Sequence, residues 1–196
     1  MKMRRRFLAV ACIAIGLPFA MPIANVGAYE YQQQAYGQPY SDFSGRPRAM
    51  APPRELVGYY GRQAPGTIII STQERRLYYI LPGNQAIRYG IGVGRPGFEW
   101  GGTRYVAMKK EWPSWTPPKQ MLRRRPDLPR FMPGGLQNPL GARAMYLGGT
   151  LYRIHGSNEP ESIGQAVSSG CIRMTNEDVM DLYERVRVGT RVVVER

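Results

Sequence analysis

His155 is the only histidine in the 196-residue chain, and Cys171 is one of only two cysteines. The other, Cys12, falls in an N-terminal segment with the character of an export signal. A thiol attacks carbonyl carbon efficiently only as thiolate, and a neighbouring imidazole can take its proton near neutral pH. A lone cysteine with a histidine elsewhere is therefore a candidate nucleophile and base, provided the fold brings them together. Gly170 lets the backbone turn tightly before the cysteine, so that nearby N–H groups could face a developing oxyanion. The plainer alternative is a buried cysteine acting as a small hydrophobe and a histidine with a purely structural role. The flanking Ser168-Ser169-Gly170 is not an apolar run, which favours chemistry over core filling.

The elements that must position these groups are mostly strands. Thr67-Ile68-Ile69-Ile70-Ser71 is a β-branched run, and a polar turn leads into Arg76 to Leu81 as its hairpin partner. Pro82-Gly83-Asn84 turns the chain into a further strand from Ala86 to Val93, and Thr103 to Trp112 reads as another. Ala144 to Leu147 and Leu151 to Ile154 flank Gly148-Gly149 as a hairpin, which sets His155 at a strand end. Thr175 can cap one clear helix, with Asp178 three residues on and Val179, Leu182, Tyr183 and Val186 sharing a face. Arg191 to Glu195 closes the sheet. Gly92-Val93-Gly94-Arg95-Pro96-Gly97 matches the dinucleotide fingerprint in letters. It is followed by Phe98-Glu99-Trp100-Gly101-Gly102, which cannot open a helix onto a pyrophosphate, so it is read as a turn. Residues 113–141 form a Pro- and Arg-rich excursion, either a binding wall or lid or an ordered surface loop.

His155-Gly156-Ser157-Asn158-Glu159-Pro160, Ser162-Ile163-Gly164 and Ser168-Ser169-Gly170-Cys171-Ile172-Arg173-Met174 resemble the L,D-transpeptidase (YkuD-type) catalytic domain. That family's signature is His-Gly, a gap, then Ser/Thr-His-Gly-Cys followed by an aliphatic residue and Arg or Asn. The resemblance runs upstream through Pro113 to Pro118 and Asn138 to Gly141, over roughly residues 66–196. It implies a mostly β domain, a β-sandwich or mixed sheet, with one helix after the cysteine. It makes Cys171 the nucleophile and His155 the proton donor and acceptor. Gly156 and Ser157 are expected to orient the base through a backbone carbonyl. Ser169 and Gly170 belong to the orienting and oxyanion loop, and Arg173, Asn158, Tyr152 and Trp115 are the expected substrate contacts. The implied substrate is a peptidoglycan tetrapeptide stem cut before its terminal D-alanine, with a neighbouring stem's amine or an outer-membrane protein as acceptor. No cofactor or metal is implied. Ser169 stands where the family usually has histidine, and a hydroxyl cannot carry a proton near neutral pH. Hydrolysis of the same stems, as by an L,D-carboxypeptidase, and a non-catalytic wall-binding module remain the alternatives.

The first 28 residues pair a basic start, Lys2 with Arg4, Arg5 and Arg6, with an apolar run and small residues at Val26-Gly27-Ala28. This reads as a secretory signal cleaved before Tyr29, with an uncleaved membrane anchor as the alternative that Pro18, Pro22 and the small-residue site disfavour. Residues 29–65, rich in Tyr, Gln, Pro and Gly, read as a linker, and 66–196 as the catalytic domain. The formal charge is +13, and cleavage would remove four positive charges and no acid, leaving +9. Such a surface would concentrate an exported protein on anionic wall material rather than nucleic acid. A monomer is expected.

Overall fold

The computed structural model describes residues 51–196, so the signal reading and most of the linker lie outside the described residues. Strand β2 (Ile68–Ser71) carries three consecutive isoleucines, all buried. A strand that buries successive residues needs cover on both faces. Ile68 and Ile70 face the main core. Ile69 lies on the other face with Ile80 and Ala86, under Val57 and Tyr59. The cover comes from β1 (Glu55–Gly58), which pairs antiparallel with β4 (Gln85–Gly90). The sheet therefore begins inside the stretch the composition marks as linker, because an apolar face had to be covered.

Among the described residues the main sheet has nine strands, in the order β1, β4, β3 (Arg76–Leu81), β2, β11 (Arg191–Glu195), β6 (Gly102–Glu111), β7 (Arg143–Leu147), β8 (Arg153–His155) and β10 (Ile172–Arg173). The hairpin of β2 and β3 pairs Ile68 with Tyr79. The closing strand β11 runs parallel to β2 and antiparallel to β6. From β6 the sheet continues antiparallel through β7 to β8, and then parallel to β10. It is thus a mixed sheet, and His155 ends one of its inner strands.

Two details differ from the sequence pattern. The run read as one strand from Ala86 to Val93 is split into β4 and β5 (Val93–Gly94). β5 pairs with β9 (Ala166–Ser168) in a separate two-stranded sheet. The break comes where Gly92 donates its N–H to the Arg173 carbonyl, 2.9 Å away, instead of continuing the ladder. Among the described residues there are also two α-helices rather than one. α1 (Lys119–Arg124) lies in the 113–141 excursion and buries none of its residues, so it leaves no apolar periodicity to read. The longer α2 (Asn176–Arg185) starts as its sequence implies, with Thr175 Oγ1 accepting from the Asp178 N–H at 3.1 Å. Val179 and Leu182 seat it on the core formed by Leu77, Tyr89, Met145 and Ile154.

At the start of α2 the structure buries an acid. Asp178 is only 8% exposed, and burial lifts its carboxyl to about 6 against the opposing pull of Arg54, 3.9 Å away. Its folded pKa thus lies above its unfolded one, so folding takes up a proton as pH falls through 6, and acidification favours the fold at this position. Wild type should gain about 2 kcal/mol relative to Asp178→Asn between pH 7.5 and 4.5. Urea unfolding of both proteins at the two pH values measures this. A difference that does not change with pH contradicts the burial argument.

Candidate active site

His155 is 4% exposed at the end of β8. Its Nδ1 lies 2.5 Å from the carbonyl of Gly156. A carbonyl only accepts, so Nδ1 carries the proton and donates, and Nε2 keeps the lone pair. Burial pulls the imidazole pKa down to about 3; the Gly156 carbonyl resists this, while Arg173 and Arg153 add to it. The histidine is therefore neutral at physiological pH, with the lone pair on Nε2. Asn176 fixes the backbone around it: its Oδ1 accepts from Ala142 N–H at 2.9 Å and fills the space a side chain at Gly156 would need.

Cys171 is half-buried and leads directly into β10. The parallel register of β10 and β8 sets Ile172 beside Ile154 and Arg173 beside His155. Neighbouring strands thus bring the two reactive side chains onto one cavity wall. Three contacts hold the loop that carries the thiol. Ser168 Oγ accepts from Gly170 N–H at 3.1 Å and donates to the Cys171 carbonyl at 2.6 Å. The Trp100 indole donates to the Gly170 carbonyl at 2.7 Å. Trp100 also stacks on Tyr152 with ring centroids 4.7 Å apart. Gly170 has φ +104, and a Cβ there would collide with the Tyr152 ring. Gly170 therefore contributes its turn and its close packing, and its N–H is already given to Ser168, so it is not the free donor that the sequence reading expected there. Burial raises the Cys171 pKa, while the nearby Arg153 opposes the rise. The resting pair is a neutral thiol with a neutral imidazole.

The wall holding His155 and Cys171 encloses about 450 Å³, with Tyr152, Arg153, Trp115 and Leu140. A second cavity of about 420 Å³ adjoins it and includes Asn158, Arg173 and Arg95. Trp115 and Ser169 line both. Among the expected substrate contacts, Arg173 pairs with Glu159 at 2.7 Å, which ties down the loop after the histidine. Asn158 donates to the Gln137 carbonyl at 3.1 Å. Trp115 and Met132 exchange backbone hydrogen bonds at 2.8 Å, bracing the excursion, whose α1 supplies Met121 and Arg124 to the cavity. The excursion is thus a wall. Ser157 is buried and accepts from Glu159 N–H at 3.0 Å, so it shapes a turn rather than facing the thiol. Ser169 accepts from Arg95 Nη1 at 3.4 Å. Trp100, Arg153, Ser168 and Asn176 escape a reading by residue type, since each acts through position. Among the described residues no cluster of three His, Cys, Asp or Glu side chains is placed to hold a metal ion, and no helix is long and apolar enough to cross a membrane.

Comparison with known proteins points one way. The family model described as the L,D-transpeptidase catalytic domain (YkuD) matches residues 65–194. The Escherichia coli K12 protein named "Probable L,D-transpeptidase ErfK/SrfK" is 41% identical over 136 residues, covering 65% of this chain and 43% of that protein. "Probable L,D-transpeptidase YbiS" of the same strain is 43% identical over 134 residues, covering 64% of this chain and 43% of that protein. The chain thus spans less than half the length of these relatives. The crystal structure of L,D-transpeptidase 3 from Mycobacterium tuberculosis shares the fold, with a TM-score of 0.55 at 16% identity over 66% of this chain and 60% of that one.

Two outcomes follow from the geometry. Gly170→Ala must accommodate a left-handed backbone and a clash with Tyr152, so the thiol should lose reactivity by about a hundredfold, the scale of a misplaced reacting group. Gly149→Ala, also at positive φ but with nothing within 4 Å, should leave the thiol's reactivity unchanged. Alkylation of Cys171 by iodoacetamide reads both. In wild type the alkylation rate should keep rising through the ordinary thiol range, because the raised pKa leaves no thiolate pool at neutral pH. A rate already flat from pH 5 upward would mean a resting thiolate–imidazolium pair.

Proposed function

The chain belongs to the L,D-transpeptidase family, and on that premise we propose that it is a cysteine acyltransferase of peptidoglycan stems that works through a Cys171 thioester. The observation that carries the reading is the oriented imidazole: Nδ1 of His155 is tied to the Gly156 carbonyl, which leaves Nε2 as the base on the wall shared with Cys171.

The pKa directions set the order of events. A neutral thiol and a neutral imidazole mean that the proton moves to Nε2 as sulfur attacks the amide carbonyl, rather than beforehand. The imidazolium so formed is buried beside Arg153 and Arg173 and is unstable there, so its proton passes readily to the departing amine. Arg153 opposes the burial of negative charge at sulfur. The tetrahedral oxyanion would be held by backbone N–H groups of the Ser169–Cys171 loop other than that of Gly170, with each donor worth about 3 kcal/mol in comparable enzymes. A thioester remains. A second stem's amine, entering by one of the two adjoining cavities, completes transfer, while water gives hydrolysis. The histidine usual before Gly-Cys is not required for these steps, since His155 supplies both proton transfers and Ser169, within the loop, accepts from Arg95. The strongly basic sequence, with its signal-like N-terminus, fits an exported protein acting at the anionic cell wall.

Mass spectrometry of tetrapeptide muropeptides incubated with the purified protein tests the proposal. The expected products are cross-linked dimers lacking one D-alanine, formed at least a thousandfold faster than with Cys171→Ala. Tripeptide monomers alone would make it a carboxypeptidase, and identical traces from both proteins would remove Cys171 from the chemistry.

A further inference from the structure

Arg95, Pro96, Gly97 and Phe98 form a tight turn closed by Phe98 N–H to the Arg95 carbonyl at 2.9 Å, with Gly97 at φ +83. Proline second and a left-handed glycine third are what a type II turn requires. The turn is pinned beside the thiol loop by Arg95 N–H, which donates to the Ser168 carbonyl at 3.0 Å. It projects two side chains over the active-site groove. The Arg95 guanidinium stacks 4.3 Å from the Phe98 ring centre, and Arg124 from α1 approaches the same ring at 5.4 Å. Cation–π contact orders both guanidiniums without neutralising either. Arg95 and Arg124 have no carboxylate within ion-pair distance among the described residues. Among the described residues the only acid lining either cavity is Glu159, already paired with Arg173.

Two like charges held on one ring repel each other until an anion arrives. The groove beside them carries apolar side chains at Trp115, Met121 and Leu128 and polar ones at Gln137, Asn158 and Ser169, a mixed lining that suits a peptide bearing a carboxylate better than a bare anion. We propose that Arg95, Phe98 and Arg124 form a carboxylate-binding subsite that recognises a free carboxylate of the peptide stem and holds the stem in register with Cys171. The planar guanidinium fork suits a carboxylate in two-point contact. This subsite also accounts for Ser169: the Arg95 donor at its hydroxyl places a permanent cation beside the position where the family usually has histidine. The inference rests on the acyltransferase reading for the identity of the peptide, and its test separates the two.

Binding is measured by calorimetry on the full chain carrying Cys171→Ala, so that no turnover intervenes. Three tetrapeptide stems are compared: one with all carboxylates free, one amidated at its C-terminus, and one amidated at its internal carboxylates. Adding Arg95→Gln and Arg124→Gln together should weaken binding of the free stem roughly tenfold, the scale of a lost charged hydrogen bond. One amidated stem should bind equally to both proteins, and that stem identifies the carboxylate. Arg124→Gln alone, on an exposed helix position, should give part of the effect and shows that misfolding is not its cause. Equal weakening for all three stems, no weakening for any, or no binding of the free stem overturns the subsite. Arginine-dependent binding with no acyl transfer by the chain with Cys171 intact would instead overturn the catalytic reading and leave the subsite standing.

Discussion

The site depends first on one contact: the indole N–H of Trp100 on the carbonyl of Gly170, with Tyr152 stacked beneath. The Gly170 carbonyl, in a left-handed turn next to the half-buried Cys171, would otherwise lack a partner, and such groups are costly when unpaired. The bond joins the segment after β5 to the thiol loop, 70 residues apart in sequence. The Tyr152 ring then occupies the volume that only a glycine leaves open. Tyr152 itself lies just before β8, the strand that ends at His155. One aromatic stack therefore ties the loop of Cys171 to the strand of His155, and Ser168 locks the same loop from its other side.

On this frame the electrostatics are arranged around two buried groups held neutral. Burial lowers the imidazole and raises the thiol, so neither is charged before reaction. Positive charge is supplied instead by arginines around the groove: Arg153 near the sulfur, Arg173 bound to Glu159, and the Arg95 and Arg124 pair on Phe98. A neutral imidazole among fixed cations disfavours any long-lived imidazolium.

Much of this was legible in the sequence. The β-branched run at Ile68 to Ile70, the hairpins that follow it and the capped helix after Cys171 are local patterns, and the structure contains all of them. The motif letters carried the family, since spacing around His155 and Cys171 reflects the chemistry. What escaped reading was set by distant partners. β1 is four residues in a Pro-rich tract and forms because Ile69 needs cover. α1 buries nothing and so has no periodicity. The glycine-rich fingerprint was recognised as a turn, but only the fold shows that the turn delivers Arg95 and Phe98 to the groove. Trp100 and Asn176 hold backbone atoms rather than substrate, a role that leaves no compositional trace.

The central claim is that Cys171 takes the acyl group. The direct measurement is intact-protein and peptide mass spectrometry of the enzyme quenched with acid during incubation with a tetrapeptide stem. The quenched enzyme should carry a hydroxylamine-labile adduct on the peptide containing Cys171, with the mass of the stem less its terminal residue, and His155→Ala should carry none. Stem turnover by an enzyme that shows no adduct at any quench time, with activity kept when Cys171 is replaced by alanine, would contradict it.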